Sequence, residues 1–182
     1  MSPSFTKKPD IIIVDDHQIF RQGLKAIINY QEVGSVIAEA SSGEEFIHYL
    51  STLKPDLVLM DIDMPQMNGF EAVQKGLEIF PDLKIIAFTV FSEEEYSLKM
   101  KSIGAKGYLL KSSGLNELNT AIQSVLAGKQ YFSMDLQTQK NKDIHSDDHK
   151  DVSLDKGDRS KLKKRELLFF PWIASKGNFV II

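Results

Sequence analysis

The stretch VLMDIDMPQMNG, residues 58–69, decides the fold. An apolar run ends at Met60, two carboxylates follow at Asp61 and Asp63, and Pro65 and Gly69 lead into an amphipathic segment. Four to five apolar residues without alternation read as a strand covered on both faces. Proline and glycine directly after such a run mark a turn, not a continuing helix. The stretch is therefore a strand that surfaces on an acid, followed by a helix.

The same unit recurs outward in both directions. Apolar runs lie at IIIV (11–14), SVIAEA (35–40), DLVLM (56–60), LKIIAFTV (83–90) and KGYLL (106–110). Between and after them lie QIFRQGLKAIINY (18–30), SGEEFIHYLSTL (42–53), GFEAVQKGLEIF (69–80), EEEYSLKMKSIG (93–104) and LNELNTAIQSVLAG (115–128). Each of these carries apolar residues at helical spacing, such as Phe20, Leu24, Ile27 and Ile28 in the first. Ser42 with Glu45, and Ser92 with Glu95, have the spacing of capping boxes. Gly104 and Gly128 fall where helix C-caps belong. Five β-α units in succession predict an α/β fold: a doubly wound, five-stranded parallel sheet with helices on both faces.

Composition narrows the function classes. The chain has 182 residues, 42% apolar and 26% charged, enough apolar content for a packed core. It has no cysteine, which removes thiolate metal sites, disulfide scaffolds and Cys nucleophiles. No apolar run reaches the roughly 18 residues of a membrane span, and MSPSFTKKPD has no signal-peptide character. A cytoplasmic protein without membrane partners is expected. The net charge of −3 conceals a split: residues 1–128 hold 11 basic and 17 acidic residues, and residues 129–182 hold 11 and 8.

Ligands of doubly wound sheets bind at the carboxyl ends of the strands. The first strand delivers Asp15 and Asp16 there, the third Asp61, the fourth Thr89 and the fifth Lys111. Each alone is commonplace, since a strand-end acid is often only a helix cap. All five at matching ends is a pattern that packing does not explain. Two like charges about 4 Å apart repel by roughly 4 kcal/mol at an effective dielectric of 20, so three clustered carboxylates call for a cation. Mg2+ takes one or two carboxylates, waters and a phosphate oxygen. Thr89 and Lys111 suit that phosphate, and Asp61 suits the role of nucleophile, because a carboxylate accepts a phosphoryl group as an acyl phosphate.

These residues resemble a known family. VDD at 14–16, the set Asp61, Met64, Pro65 and Gly69, then Thr89, and GAKGYLLK ending in Lys111 are similar to the receiver domain of bacterial two-component response regulators, over about residues 10–128. The resemblance implies a flavodoxin-like receiver with Asp61 as phosphoryl acceptor. It implies Mg2+ held by Asp16, Asp61 and the backbone carbonyl of Asp63, with Asp15 acting through water. Thr89 and Lys111 would contact the phosphoryl group, and Tyr108 holds the aromatic switch position. The implied donor is a phosphohistidine on a sensor histidine kinase, and a homodimer on phosphorylation is a further expected partner. Such a protein turns over only its own phosphoryl group. Ser112 after Lys111 points to the NarL/FixJ subgroup, which carries a LuxR-type output domain. Val90 is bulkier than the residue usual after the Thr, and Asp63 and Phe91 sit where phosphoryl lifetime is tuned.

Two other readings use the same residues. A haloacid-dehalogenase-type phosphatase also has D-x-D after a strand, but places its acidic pair last and rarely has a proline four residues after the nucleophile. A pseudo-receiver scaffold would never be phosphorylated. His17, next to the acidic pair, reads as a first-turn surface residue. His145 and His149 lie with Asp147 and Asp148 in a polar stretch that reads as solvated charge.

The expected organisation is an N-terminal tail (1–9), the receiver (10–128), a polar linker (129–157) and an incomplete LuxR-type helix-turn-helix remnant (158–182). LKKRELLFFPWIASKGN matches the opening of a LuxR-type domain at Leu162, Arg165, Glu166, Ile173, Ala174, Gly177 and Asn178, with Pro171 inside the first helix. No sequence for a recognition helix follows before FVII, so DNA binding by this chain is not expected. The readout face of the receiver is expected at 93–103, 106–110 and 115–127, with transcription as its output.

Overall fold

A computed structural model describes residues 7–133. The expected linker beyond that point and the remnant at 158–182 lie outside the described residues, as do His145 and His149. Parallel strands alternate with helices in the order β1 (Asp10–Val14), α1 (Gln18–Tyr30), β2 (Ser35–Ala40), α2 (Gly43–Leu50), β3 (Leu57–Met60), α3 (Gly69–Ile79), β4 (Ile85–Thr89), α4 (Glu94–Ser102), β5 (Gly107–Leu110), α5 (Leu115–Leu126) and β6 (Tyr131–Phe132). The sheet order is β2-β1-β3-β4-β5-β6. Every pairing is parallel. The two-residue β6 adds a short edge strand from the segment read as linker.

Two apolar cores explain why the strand sequences do not alternate. Ile12, Val14, Val58, Met60, Ile85, Ala87 and Tyr108 face one core, with Phe46 of α2, Val73 of α3 and Met100 of α4. Ile11, Ile13, Leu57, Leu59, Ile86, Phe88 and Leu109 face the other, with Leu24 and Ile28 of α1 and Leu118 and Ile122 of α5. A strand buried on both faces must be apolar at every position. α5 is held firmly, burying Leu118, Ala121, Ile122, Val125 and Leu126. α4 buries only Ser97 and Met100.

The helix ends follow the sequence signals in part. Ser42 caps α2, its Oγ accepting from the Glu45 N–H at 3.2 Å. The Glu45 carboxylate turns instead to Ser41, accepting from its N–H at 2.7 Å and its hydroxyl at 2.8 Å. The expected Ser92 cap does not form: Glu93 is the N-cap of α4, with no side-chain cap bond. Gly104 and Gly128 adopt φ of +105° and +82°, the left-handed values of a helix C-terminus.

Candidate functional site

Parallel register brings the strand ends together. The Asp61 N–H donates to the Val14 carbonyl at 2.8 Å, which seats Asp61 beside the Asp15–Asp16 pair. On the other flank, the Lys111 N–H donates to the Thr89 carbonyl at 2.7 Å. Lys111 extends back across the sheet end: its Nζ lies 2.6 Å from Asp15 Oδ2 and 2.7 Å from Asp61 Oδ2. The Phe20 ring supports it, with Nζ 4.6 Å from the ring centroid. The Asp15 and Asp61 side chains are buried, at 3% and 2% exposure.

The backbone completes the Asp61 pocket. Asp61 Oδ1 accepts from the N–H groups of Ile62 at 2.7 Å and Asp63 at 3.4 Å. That contact is made by the Asp63 backbone; its side chain is exposed. Asp15 Oδ1 accepts from the His17 N–H at 2.9 Å, and Arg21 donates to the Asp15 carbonyl. Burial pushes the Asp61 carboxyl above its ordinary range, against the pull of Lys111 and helped by the Asp15 charge. Burial lowers the Lys111 ammonium, but its bonds to Asp15 and Asp61 outweigh that and hold it above its ordinary value.

A raised carboxyl pKa in the fold means that protonation favours the folded state. Without divalent cations, the Asp61 contribution to stability is full below its ordinary 3.8 and is lost as pH rises through the higher folded value. Urea titrations in chelator from acid to neutral pH should show the advantage of the parent over Asp61→Asn shrinking with rising pH. A difference independent of pH would contradict the burial argument.

The donor set fits a hard cation. Three carboxylates face one ammonium, leaving excess negative charge. Asp16 Oδ1 is closed to solvent and lies 2.7 Å from the ring nitrogen Nδ1 of the exposed His17. Single ligand atoms of Asp15, Asp16, His17 and Asp61 all lie within 4.8 Å of one another.

Thr89 is buried at the end of β4, its Oγ1 accepting from the Phe91 N–H at 3.4 Å. Tyr108 is fully buried, and its phenol donates to the Phe91 carbonyl at 2.8 Å. Burial holds that phenol well above its ordinary titration range, with the charge of Glu93 adding to it. Tyr108→Phe leaves the Phe91 carbonyl without this donor and should cost about 1–3 kcal/mol in chemical denaturation. Val90 is 64% exposed beside Thr89.

Sequence reading missed the wall that continues from Phe91. The Phe91 and Tyr96 rings stack at 4.7 Å, Tyr96 and Phe70 at 6.1 Å, and Lys99 Nζ sits 4.1 Å from the Phe70 centroid. This aromatic series ties the first turn of α3 to α4. No periodicity links residues 70, 91 and 96, so only the tertiary fold reveals it. His17 is 70% exposed as expected, but its ring turns to the acids: Nδ1 lies 2.7 Å from Asp16 Oδ1 and 3.4 Å from Asp15 Oδ1.

A parallel doubly wound sheet with acids, a threonine and a lysine converging at its carboxyl edge defines a receiver-type signalling domain. The family model described as response regulator receiver domain matches residues 11–123, and the chain belongs to that family. The oxygen regulatory protein NreC of Staphylococcus aureus is 38% identical over 165 residues, covering 90% of this chain and 76% of that protein. The crystal structure of a LuxR-family two-component response regulator from Aurantimonas sp. SI85-9A1 matches with a TM-score of 0.69 at 32% identity. It covers 76% of this chain and 99% of that one. A LuxR-family DNA-binding response regulator from Staphylococcus aureus matches with a TM-score of 0.61 at 25% identity, covering 65% of this chain and 98% of that one. The chain is a two-component response regulator similar to NreC. The family is one of signalling proteins. Among the described residues, no helix is long and apolar enough to cross a membrane.

Proposed function

We propose that Asp61 accepts a phosphoryl group from a phosphohistidine of a sensor histidine kinase, and that the resulting acyl phosphate switches the receiver. The single observation that carries this is the Asp61 carboxylate, buried at the end of β3 with Lys111 Nζ 2.7 Å away. An Asp61 carboxylate oxygen attacks phosphorus, the P–N bond to the kinase imidazole breaks, and the imidazole leaves with its electron pair. Asp16, Asp61 and the Asp63 carbonyl would hold Mg2+, with Asp15 acting through water. When bound, Mg2+ neutralises charge on the acids and on the phosphoryl oxygens. Lys111 balances the remaining phosphoryl charge, and the Thr89 hydroxyl donates to a phosphoryl oxygen.

The switch runs through Thr89 and Tyr108. Thr89 Oγ1 and the Tyr108 phenol both bond Phe91, through its N–H and its carbonyl. A phosphoryl group that draws the Thr89 hydroxyl would change how this loop is held. α4, with its two buried residues, is the element beside the loop that resists least. The readout face is accordingly α4, β5 and α5. Moving such an equilibrium from 1:99 to 99:1 takes a differential of about 5.5 kcal/mol.

The output is control of transcription, with DNA binding not assigned to the incomplete LuxR-type stretch at 158–182. The 165-residue match to NreC is longer than the 113 residues (11–123) of the receiver match, so it extends past the receiver into flanking sequence. The polar run 129–157 is the linker, and residues 1–9 the leading tail. Dimerisation on phosphorylation through the readout face belongs to the same reading, and the protein acts in the cytoplasm.

The test is incubation with Mg2+ and acetyl phosphate, followed by intact mass. One added phosphoryl group per chain, stable in acid and labile in base, is expected. Steady turnover of a phosphate ester would instead favour a phosphatase.

A further inference from the structure

The short strand after α5 lies directly against Tyr108. β6 pairs with β5 in parallel register, with Gly107 opposite Tyr131 and Tyr108 opposite Phe132. Register partners on neighbouring strands point to the same face, and the strands are only about 4.8 Å apart. Tyr108 and Phe132 accordingly share one core with Met100 of α4, at 0% and 4% exposure. Lys101 of α4 stands with its Nζ 4.9 Å from the Phe132 ring centroid. Tyr131 packs instead against the opposite core, which holds Leu118 and Ile122 of α5. β6 thus meets β5, α4 and α5, the three elements of the readout face.

The strand is closely seated but lightly held. Gly107 permits the approach: a β-carbon there would stand 3.0 Å from the Tyr131 carbonyl oxygen. Yet β6 is two residues long. The Tyr131 N–H donates to the Lys106 carbonyl at 3.0 Å. Ser133, the next residue, is buried, and its hydroxyl is sealed from water without a hydrogen bond. An unpaired buried hydroxyl disfavours the seated strand and is relieved when the strand lifts. A segment with few bonds and an unpaired polar group opens locally, far below the free energy of global unfolding.

We propose that β6 is a displaceable strap: it stays on β5 while the Tyr108 phenol holds the Phe91 carbonyl, and it loosens when phosphorylation breaks that bond. The state of the receiver then reaches the chain beyond Ser133 through Phe132. The inference rests on the switch reading of Asp61, Thr89 and Tyr108. Tyr108 has its phenol on the loop after β4, 2.8 Å from the Phe91 carbonyl, and its backbone beside Phe132. A ring displaced from this site leaves a void beside Phe132, and a close-packed core does not absorb such a change silently. The coupling is reciprocal, so whatever frees β6 favours the phosphorylated arrangement by the same factor.

The test follows hydrogen exchange at the Tyr131 N–H by NMR, in the full chain with and without Mg2+ and beryllofluoride, a phosphoryl mimic. Saturation should speed exchange at Tyr131 about tenfold. Val58, whose N–H donates to the Lys84 carbonyl inside the sheet, should change far less. Asp61→Asn under the same conditions should show no acceleration. Phe132→Ala, which removes the ring beside Tyr108, should bind beryllofluoride about fivefold more tightly than the parent. Unchanged or slower exchange at Tyr131 in the saturated parent overturns the proposal. So does equal acceleration at Val58, which would be a loosening of the whole sheet. Parental affinity in a Phe132→Ala chain whose Tyr131 N–H already exchanges fast overturns it as well. A parent that does not bind beryllofluoride would instead remove the acceptor reading beneath it.

Discussion

Asp61→Asn should yield no phosphorylated protein under conditions that label the parent chain stoichiometrically. The amide has nearly the shape of the carboxylate, so the packing of β3 against its neighbours is kept. What is lost is the anionic oxygen that attacks phosphorus. The substitution also leaves Lys111 with Asp15 as its sole remaining carboxylate of the pair it now bridges at 2.6 and 2.7 Å. Asp63→Asn makes the contrast. Its side chain is exposed, and only its backbone N–H reaches Asp61 Oδ1, at 3.4 Å, so labelling at Asp61 persists. Intact mass after reaction with Mg2+ and acetyl phosphate reads both. A labelled Asp61→Asn chain would place the acceptor elsewhere. A parent chain that takes no label at all would favour the pseudo-receiver scaffold.

The strands were legible because their burial leaves the sequence no choice. A segment such as Leu57–Met60, covered on both faces, tolerates no polar residue. The polar residue that ends it is then conspicuous, and Asp61 was found this way. Asp15, Thr89 and Lys111 followed from the same logic applied to β1, β4 and β5. Features that depend on two chain segments meeting left weaker traces. The sequence placed Lys111 at a strand end, but its bridge between Asp15 and Asp61 depends on how far β5 extends past β3. Met64 and Met67 look like loop residues, yet they fold into the core at 6% and 9% exposure. The turn that returns them includes Gln66 at φ +66°, which no glycine announces. The edge strand Tyr131–Phe132 is too short to carry a period. The Ser92–Glu95 spacing is real, but the helix begins one residue later than a Ser92 cap requires.

The loop that carries Asp61 is also where a single methyl group should do the most damage. Gly69 opens α3, and its N–H donates to the Ile62 carbonyl at 3.0 Å, closing the loop back on the strand end. A β-carbon at this position would overlap the Asp61 carbonyl oxygen, and it would stand 2.7 Å from Ile62 Cα. Both obstacles are backbone, so no rotamer change relieves them. The φ of Gly69 is not the cause; the space is. Gly69→Ala must therefore push the first turn of α3 away from residues 61–62. That loosens the turn capped by Asn68, whose Oδ1 accepts from the Glu71 N–H at 3.1 Å, and shifts the N–H groups that hold Asp61 Oδ1. Overpacking of this kind costs about 1–3 kcal/mol where side chains can yield, and more where only backbone can. A loss of about 3 kcal/mol or more in urea denaturation is expected, together with slower labelling at Asp61 in whatever fraction stays folded. Gly23→Ala is the control, because a β-carbon there meets nothing within 4 Å. It replaces a mid-helix glycine of α1 and should stabilise the chain by roughly 0.5–1 kcal/mol. Equal stability of the two variants would show that the close approach of Gly69 to the Asp61 carbonyl does not constrain the acceptor loop.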